Sequence, residues 1–185
     1  GTIWSYHTDS STQSLTFRGS GKLTTNGITD SHNDLRFEKG AQVTVNGIVC
    51  VKTVTITGSG TKLTVSNRSV EGIEANGVFT LSDGATADLT TLNKSGCSLR
   101  LLSGGGSVTG GSTLKVNGYI GVSNDSDSKF TVDATSTLIA NCTCAAVNAQ
   151  GAENTLSLAN LPADAEFQSA SYAVNITFWT LVKKG

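Results

Sequence analysis

LTFRGSGKLTTNGI (Leu15–Ile28), LRFEKGAQVTVNGI (Leu35–Ile48) and VTITGSGTKLTVSN (Val54–Asn67) superimpose without gaps over most of their length. Their starts lie 20 and 19 residues apart. Each unit holds two short runs in which apolar and polar residues alternate, the period of a strand with one face in a core. A Gly-rich or turn-forming corner joins the two runs. FTLSDGATADLTTLN from Phe79 and LRLLSGGGSVTGGS from Leu99 extend the pattern, followed by a looser LKVNGYIGVSND from Leu114 and FTVDATSTLIANC from Phe130. A unit of about 20 residues is too small to bury its own apolar face and must stack on its neighbours, which is the signature of a solenoid coil.

Stacking assigns the side chains. Leu15, Phe17 and Leu23 point inward in the first unit while Thr16 and Arg18 meet water; Leu35, Phe37, Val43 and Val45 take the inward places in the second. In VEGIEANGVFTLSDGA (Val70–Ala85) the same rule sends Phe79 and Leu81 inward and Val78 and Thr80 outward. Gly72, Asn76-Gly77 and Asp83-Gly84 then serve as corners that need a small residue or positive φ. Asn-Gly and Asp-Gly also mark antiparallel hairpins, so an antiparallel β-sandwich is the alternative fold. The recurring register favours an all-β, single-stranded, right-handed parallel β-helix spanning 1–185, with an N-terminal cap at 1–14, coils at 15–158 and a C-terminal cap at 159–185.

Composition agrees with that class. Only 15% of residues are charged, and the abundance of Thr, Ser, Asn and Gly disfavours helix interiors. A net charge of −1 lacks the clustered Lys and Arg needed for nucleic acid or anionic lipid. No apolar run reaches the roughly 20 residues of a membrane-spanning helix. GTIWSYHTDSS has neither the basic nor the apolar region of a signal peptide, so an exported chain is expected to have lost its leader.

The ends break the pattern, as solenoid ends must to avoid edge-to-edge association. TIWSYHTDSSTQ reads as an N-terminal cover. ANLPADAEFQSAS, with the only proline, Pro162, reads as a short helix or turn, and SYAVNITFWTLVKK as one long closing strand. Cys50, Cys97, Cys142 and Cys144 show no zinc spacing; the expectation is buried free thiols, with disulfides as the alternative in an exported protein.

VTITGSGTKLTVSN followed by VEGIEANGVFTLSDG resembles the exported bacterial β-helix proteins classed as carbohydrate-binding domain-containing. The likeness covers about Leu15 to Ala140 and rests on a strand, a Gly-Ser-Gly corner, a second strand and a Gly-Ile-x-Ala-x-Gly link, here Gly72-Ile73-Glu74-Ala75-Asn76-Gly77. It departs after Leu114. The resemblance implies a secreted or cell-surface right-handed β-helix that binds polysaccharide, and brings no catalytic motif to transfer.

Chemistry-bearing residues are sparse. A glycosidase needs two carboxyl groups roughly 5 to 10 Å apart; the pairs to consider are Asp30 with Asp34 in TDSHND, Glu71 with Glu74, and Asp125 with Asp127, all read as solvated corner or loop acids. TDSHND (with His32) and SNDSDS offer oxygens to Ca²⁺ without an EF-hand pattern, so no metal site and no cofactor is assigned. Arg18 and Arg36 need not stack. Glycan sites commonly expose an aromatic platform, and Phe17, Phe37, Phe79 and Phe130 are in the inward register. Tyr119, Trp4 and Tyr6 remain as candidate ligand-binding residues. The expected function is therefore a non-catalytic secreted or surface binding or adhesion module for a polysaccharide or other glycan. A β-helical polysaccharide lyase or glycoside hydrolase and a structural stalk or passenger fragment are the alternatives.

Overall fold

The computed structural model describes residues 4–8, 13–67, 71–91, 97–117, 119–122, 130–140, 146–149, 156–158, 165–173 and 176–183, with side-chain surroundings for 14–29, 33–67, 71–91, 97–117, 120–121 and 130–139. Among the described residues every regular element is a strand, and none is a helix. The strands wind into three parallel ladders, which form three faces around one apolar column.

The first face stacks Gln13–Arg18, the C-terminal parts of Ile28–Glu38 and Val49–Thr57, then Phe79–Ser82, Gly106–Val108, Phe130–Val132 and Leu156–Leu158. The second stacks Lys22–Thr25, Gln42–Val45, Lys62–Asn67, Thr86–Thr91, Thr113–Asn117 and Thr137–Ala140. The third begins with the N-terminal parts of Ile28–Glu38 and Val49–Thr57 and continues through Glu71–Ala75, Cys97–Leu101, Tyr119–Val122 and Ala146–Ala149. Parallel ladders of this kind require a crossover between paired strands, and here the rest of each coil supplies it.

Like stacks on like inside. Leu35, Val54 and Phe79 form one column and Phe37, Ile56 and Leu81 the next, all at most 1% exposed. Leu63, Ala87 and Leu114 on the second face, and Ile73, Leu99 and Ile120 on the third, complete the interior. Phe17 and Phe37 stack with ring centroids 5.2 Å apart. Burying each such side chain contributes about 1.5–3 kcal/mol, so the column supplies the apolar surface that no single coil owns. Gly106 interrupts one column because a Cβ there would come within 3.0 Å of both Leu101 and the Phe130 ring.

The corner between the first and second faces repeats almost unchanged. Three or four residues separate strand ends there, and from the second coil on the corner's own interior position carries Ala41, Thr61, Ala85, Ser112 or Ser136, all buried. A backbone ladder runs down this edge through Gln42 N–H to Gly21 O, Lys62 to Ala41, Thr86 to Thr61, Thr113 to Ala85 and Thr137 to Ser112. Side chains of the following coil take up other corner amides: Gly40 N–H donates to Thr61 Oγ1 at 3.0 Å, Gly111 to Thr135 Oγ1 at 3.0 Å and Gly110 to Asp133 Oδ2 at 2.8 Å. Asp83 (φ 59°) and Gly84 (φ 76°) make this turn with both residues left-handed, a conformation that Asp tolerates and Gly favours.

The coil length does not stay near 20. Leu15, Leu35 and Val54 pair in succession, then Val54 pairs Phe79, Phe79 pairs Gly106 and Gly106 pairs Phe130, so the advance grows from 20 and 19 to 25, 27 and 24 residues. The added residues fall between the second and third faces (Asn67 to Glu71, Thr91 to Cys97) and between the third and first (Val122 to Phe130). Two expected coil starts are thereby corrected. Leu99 lies on the third face opposite Ile73, and Leu114 on the second opposite Ala87.

Both ends carry antiparallel pairs. Trp4–Thr8 lies antiparallel on Gln13–Arg18, and Ile176–Lys183 lies antiparallel on Ala146–Ala149 while pairing with Ala165–Ala173. The expected helix or turn after Pro162 is corrected to strand over Ala165–Ala173, and the expected single closing strand is two. Pairing, which satisfies the backbone of an otherwise open edge, overrides the helix-compatible composition of that segment.

Candidate functional site

The third face brings both described cysteines, Cys50 and Cys97, beside Glu71, Glu74 and Arg100. Its local shape begins with Gly72, where a Cβ would stand 2.6 Å from Ser98 O, so only glycine admits the Ser98 backbone this close. Ser98 tucks inward, fully buried, and donates to Asn117 O at 2.7 Å while meeting Thr91 Oγ1 at 3.1 Å. The register shifts at this point, between Cys97 and Leu99 on the side facing Tyr119–Val122. Cys97, just before the shift, is half-buried and pairs with Glu71 on one side and Tyr119 on the other.

Beside this column runs Cys50, Glu74 and Arg100, neighbours in consecutive strands. Arg100 Nη1 donates to Glu71 Oε1 at 3.0 Å and to Glu74 Oε2 at 3.2 Å. One guanidinium nitrogen thus clasps both carboxylates, whose contacting oxygens are at most 6.2 Å apart, the sum of those two contacts. Cys50 Sγ faces Glu74 Oε1 at 3.6 Å. Burial first, then the Glu74 charge, pushes the Cys50 thiol up; burial pushes Cys97 up too, partly offset by Arg100. Both cysteines are free. They are half-buried and border this polar cluster, which corrects the expectation of core thiols. Neither has the electropositive setting that lowers a thiol's pKa and makes it a nucleophile.

The carboxylate pairs are also relocated. Glu71 and Glu74 belong to a strand, not a corner, and the Arg100 guanidinium occupies the space between them where a glycosidase would hold the scissile bond. Asp30 and Asp34 lie within the strand Ile28–Glu38, which is irregular between them, so TDSHND is strand and not loop. Asp34 Oδ1 accepts from Thr53 Oγ1 at 2.8 Å; the side chains of Asp30 and His32 lie outside the described residues, as do Asp125, Asp127, Cys142 and Cys144. Arg18 pairs with Glu38 and Arg36 with Thr16, so the two arginines do not stack. Arg36 Nε contacts Glu38 Oε2 at 2.5 Å and, with Lys39 and Arg18 nearby, holds that carboxyl below its usual range.

Among the described residues no group of three or more His, Cys, Asp or Glu could hold a metal ion, and no helix is long and apolar enough to cross a membrane. Trp4 and Tyr6 stand opposite Phe17 and Leu15 in the N-terminal antiparallel pair, away from the third face. Tyr119 occupies the register position next to Cys97 and two strands from Glu71. The side chains of all three aromatics lie outside the described residues. Reading the sequence alone separated Tyr119 from Glu71, Glu74 and Arg100, because only the lengthened coils bring these positions onto neighbouring strands. Compared with protein-family models, curated proteins and solved structures, the chain has no match.

Proposed function

We propose that this chain is a non-enzymatic, secreted or surface-displayed binding or adhesion module that takes carbohydrate on its third face. The observation carrying this reading is the alignment of Tyr119 with Cys97 and Glu71, one strand from the Arg100 that clasps Glu71 and Glu74 on the strand beyond. Carboxylates and a guanidinium give directional acceptors and donors to sugar hydroxyls, and an aromatic residue gives an apolar surface for a ring. Arg100 is 45% exposed. Exposed ion pairs contribute about 0–1 kcal/mol to stability, so the clasp can exchange partners with a ligand at little cost. The resemblance of the repeat units to carbohydrate-binding β-helix proteins points the same way.

A glycan array with and without Ca²⁺, run on the native chain and on Tyr119→Ala and Arg100→Met, tests this. The expected result is binding to a restricted set of glycans, weakened at least about tenfold by either substitution. Absence of any glycan binding returns the protein to a stalk or passenger role, and unsaturated product released from polyuronides, followed by absorbance, would make it a lyase.

A further inference from the structure

Asn-Gly pairs occur four times in the chain, at 26–27, 46–47, 76–77 and 117–118. A glycine after asparagine leaves its main-chain nitrogen open to approach, because no Cβ stands beside it. Bonding that nitrogen to the asparagine Cγ closes a small, unstrained imide ring. Gly118 lies outside the described residues, so three pairs can be compared. The first two hold matching places in successive coils, at the corner between the second and third faces: Asn26 follows Thr25 and Asn46 follows Val45, partners in the second ladder. Both asparagines are exposed, and neither the Gly27 nor the Gly47 amide has a hydrogen-bond partner among the described residues. Stacking accounts for Gly27. Asn26 O is turned toward the second coil, 2.0 Å from where a Gly47 Cβ would stand, so the planar trans peptide turns the Gly27 N–H away from that coil. The third pair is tied at every main-chain group that the ring closure would move. Asn76 is half-buried, its N–H donates to Val51 O at 3.0 Å, its carbonyl accepts from Ser103 Oγ, and Gly77 N–H donates to Lys52 O at 2.6 Å.

We propose that Asn26 and Asn46 are sites of spontaneous deamidation, and that Asn76 is protected from it by its backbone contacts. The Gly27 amide gives its proton to hydroxide and its nitrogen forms a bond to Asn26 Cγ. The Cγ–Nδ2 bond breaks, and Nδ2 leaves as ammonia with a proton taken from water, which restores the hydroxide. One water then opens the imide at either carbonyl, leaving an aspartyl or an isoaspartyl residue at position 26; position 46 follows the same course with Gly47. At Gly77 the attacking nitrogen must first give up Lys52 O. The isoaspartyl product adds a methylene to the main chain just ahead of Ile28 or Val49, where the third face begins. The close approach of Asn26 O to Gly47 leaves no room for it, so conversion parts the first two coils at this corner. This chemistry is independent of the glycan reading.

The test holds the full native chain at mildly alkaline pH below its unfolding temperature, digests it at intervals and maps the asparagines by mass spectrometry, with isoaspartate counted by isoaspartyl methyltransferase labelling. The same site in urea supplies each reference rate. Relative to that reference, Asn26 and Asn46 should convert at least about tenfold faster than Asn76, whose neighbouring amide is released only on unfolding. Gly27→Ala, whose Cβ would meet only Ile48 O at 3.4 Å, should slow Asn26 at least about tenfold and leave Asn46 unchanged. A relative rate at 26 or 46 no faster than at 76 overturns the proposal, as does conversion at 26 that Gly27→Ala does not slow. The three-site comparison is made in the native chain, so it decides the matter even if Gly27→Ala does not fold.

Discussion

The corner joining the first and second faces and the passage joining the second to the third are built from similar residues yet obey opposite rules. The first keeps its length to within one residue, its interior filled by Ala41, Thr61, Ala85, Ser112 and Ser136 and its amides taken up by the neighbouring coil. The second grows from a few residues to the stretch between Thr91 and Cys97. A corner whose hydrogen bonds run along the solenoid axis cannot change length without breaking bonds in two coils. The passage from the second to the third face carries coil-to-coil bonds where it is short, Asn46 N–H to Thr25 O and Ile28 N–H to Ile48 O, yet differs in length from coil to coil, and the charged and thiol side chains of the third face collect just beyond it.

The largest expected effect comes from exchanging the two rules. A Gly-Ser insertion after Gly84 should lower unfolding free energy by about 3 kcal/mol or more, because several buried amides lose acceptors together. The same insertion between Asn93 and Lys94 should cost less than about 1 kcal/mol, the scale of loop lengthening. Urea unfolding of the two variants measures the contrast, and equal losses would abolish the distinction.

A smaller effect separates two serines of the constant corner. Ser136 Oγ accepts from Ser112 N–H at 3.1 Å, whereas Ser112 Oγ is buried without a partner among the described residues. Ser136→Ala should cost about 1–2 kcal/mol, and Ser112→Ala, which copies Ala85 one coil away, should leave stability unchanged or raise it by about 1 kcal/mol. The midpoints of thermal unfolding report both.

The smallest effect is a pH dependence. The Gly110 amide, then Ser136 and Thr135, hold the Asp133 carboxyl down at about 2, below the ordinary Asp value. A carboxyl depressed in the folded state contributes stability that is complete above its unfolded pKa of about 3.9 and is lost as pH falls toward its folded pKa. Unfolding midpoints should therefore decline between about pH 4 and pH 2, and Asp133→Asn should decline less over that window. A parallel decline in the two proteins would mean the corner contacts do not hold the charge.

The same contrast explains what the sequence made legible. Where Leu15, Leu35 and Val54 start successive coils of near-constant length, alternation and Gly-rich corners sufficed to place Phe37, Val43, Phe79 and Leu81 in the core. Where the passages lengthen, alternation reports that Leu99 faces inward but not which ladder it joins, and the offset then carries to Leu114. The candidate site suffered most, because Glu71, Glu74, Arg100 and Tyr119 are separated by those passages and meet only through strand pairing. Composition misled at Ala165–Ala173, where pairing with Ile176–Lys183 makes strand of a helix-compatible stretch.

Parallel stacking itself is most directly tested by spin labels on the second face. Thr24, Thr44, Thr64, Asp88, Lys115 and Ile139 are successive partners there. With the native cysteines replaced, labels at positions 24 and 115 should be separated by a backbone distance of about 19 Å, and labels at 24 and 139 by about 24 Å, one strand spacing more. Distances that fail to grow with each added coil, or a 24 to 139 separation shorter than 24 to 115, would contradict the solenoid.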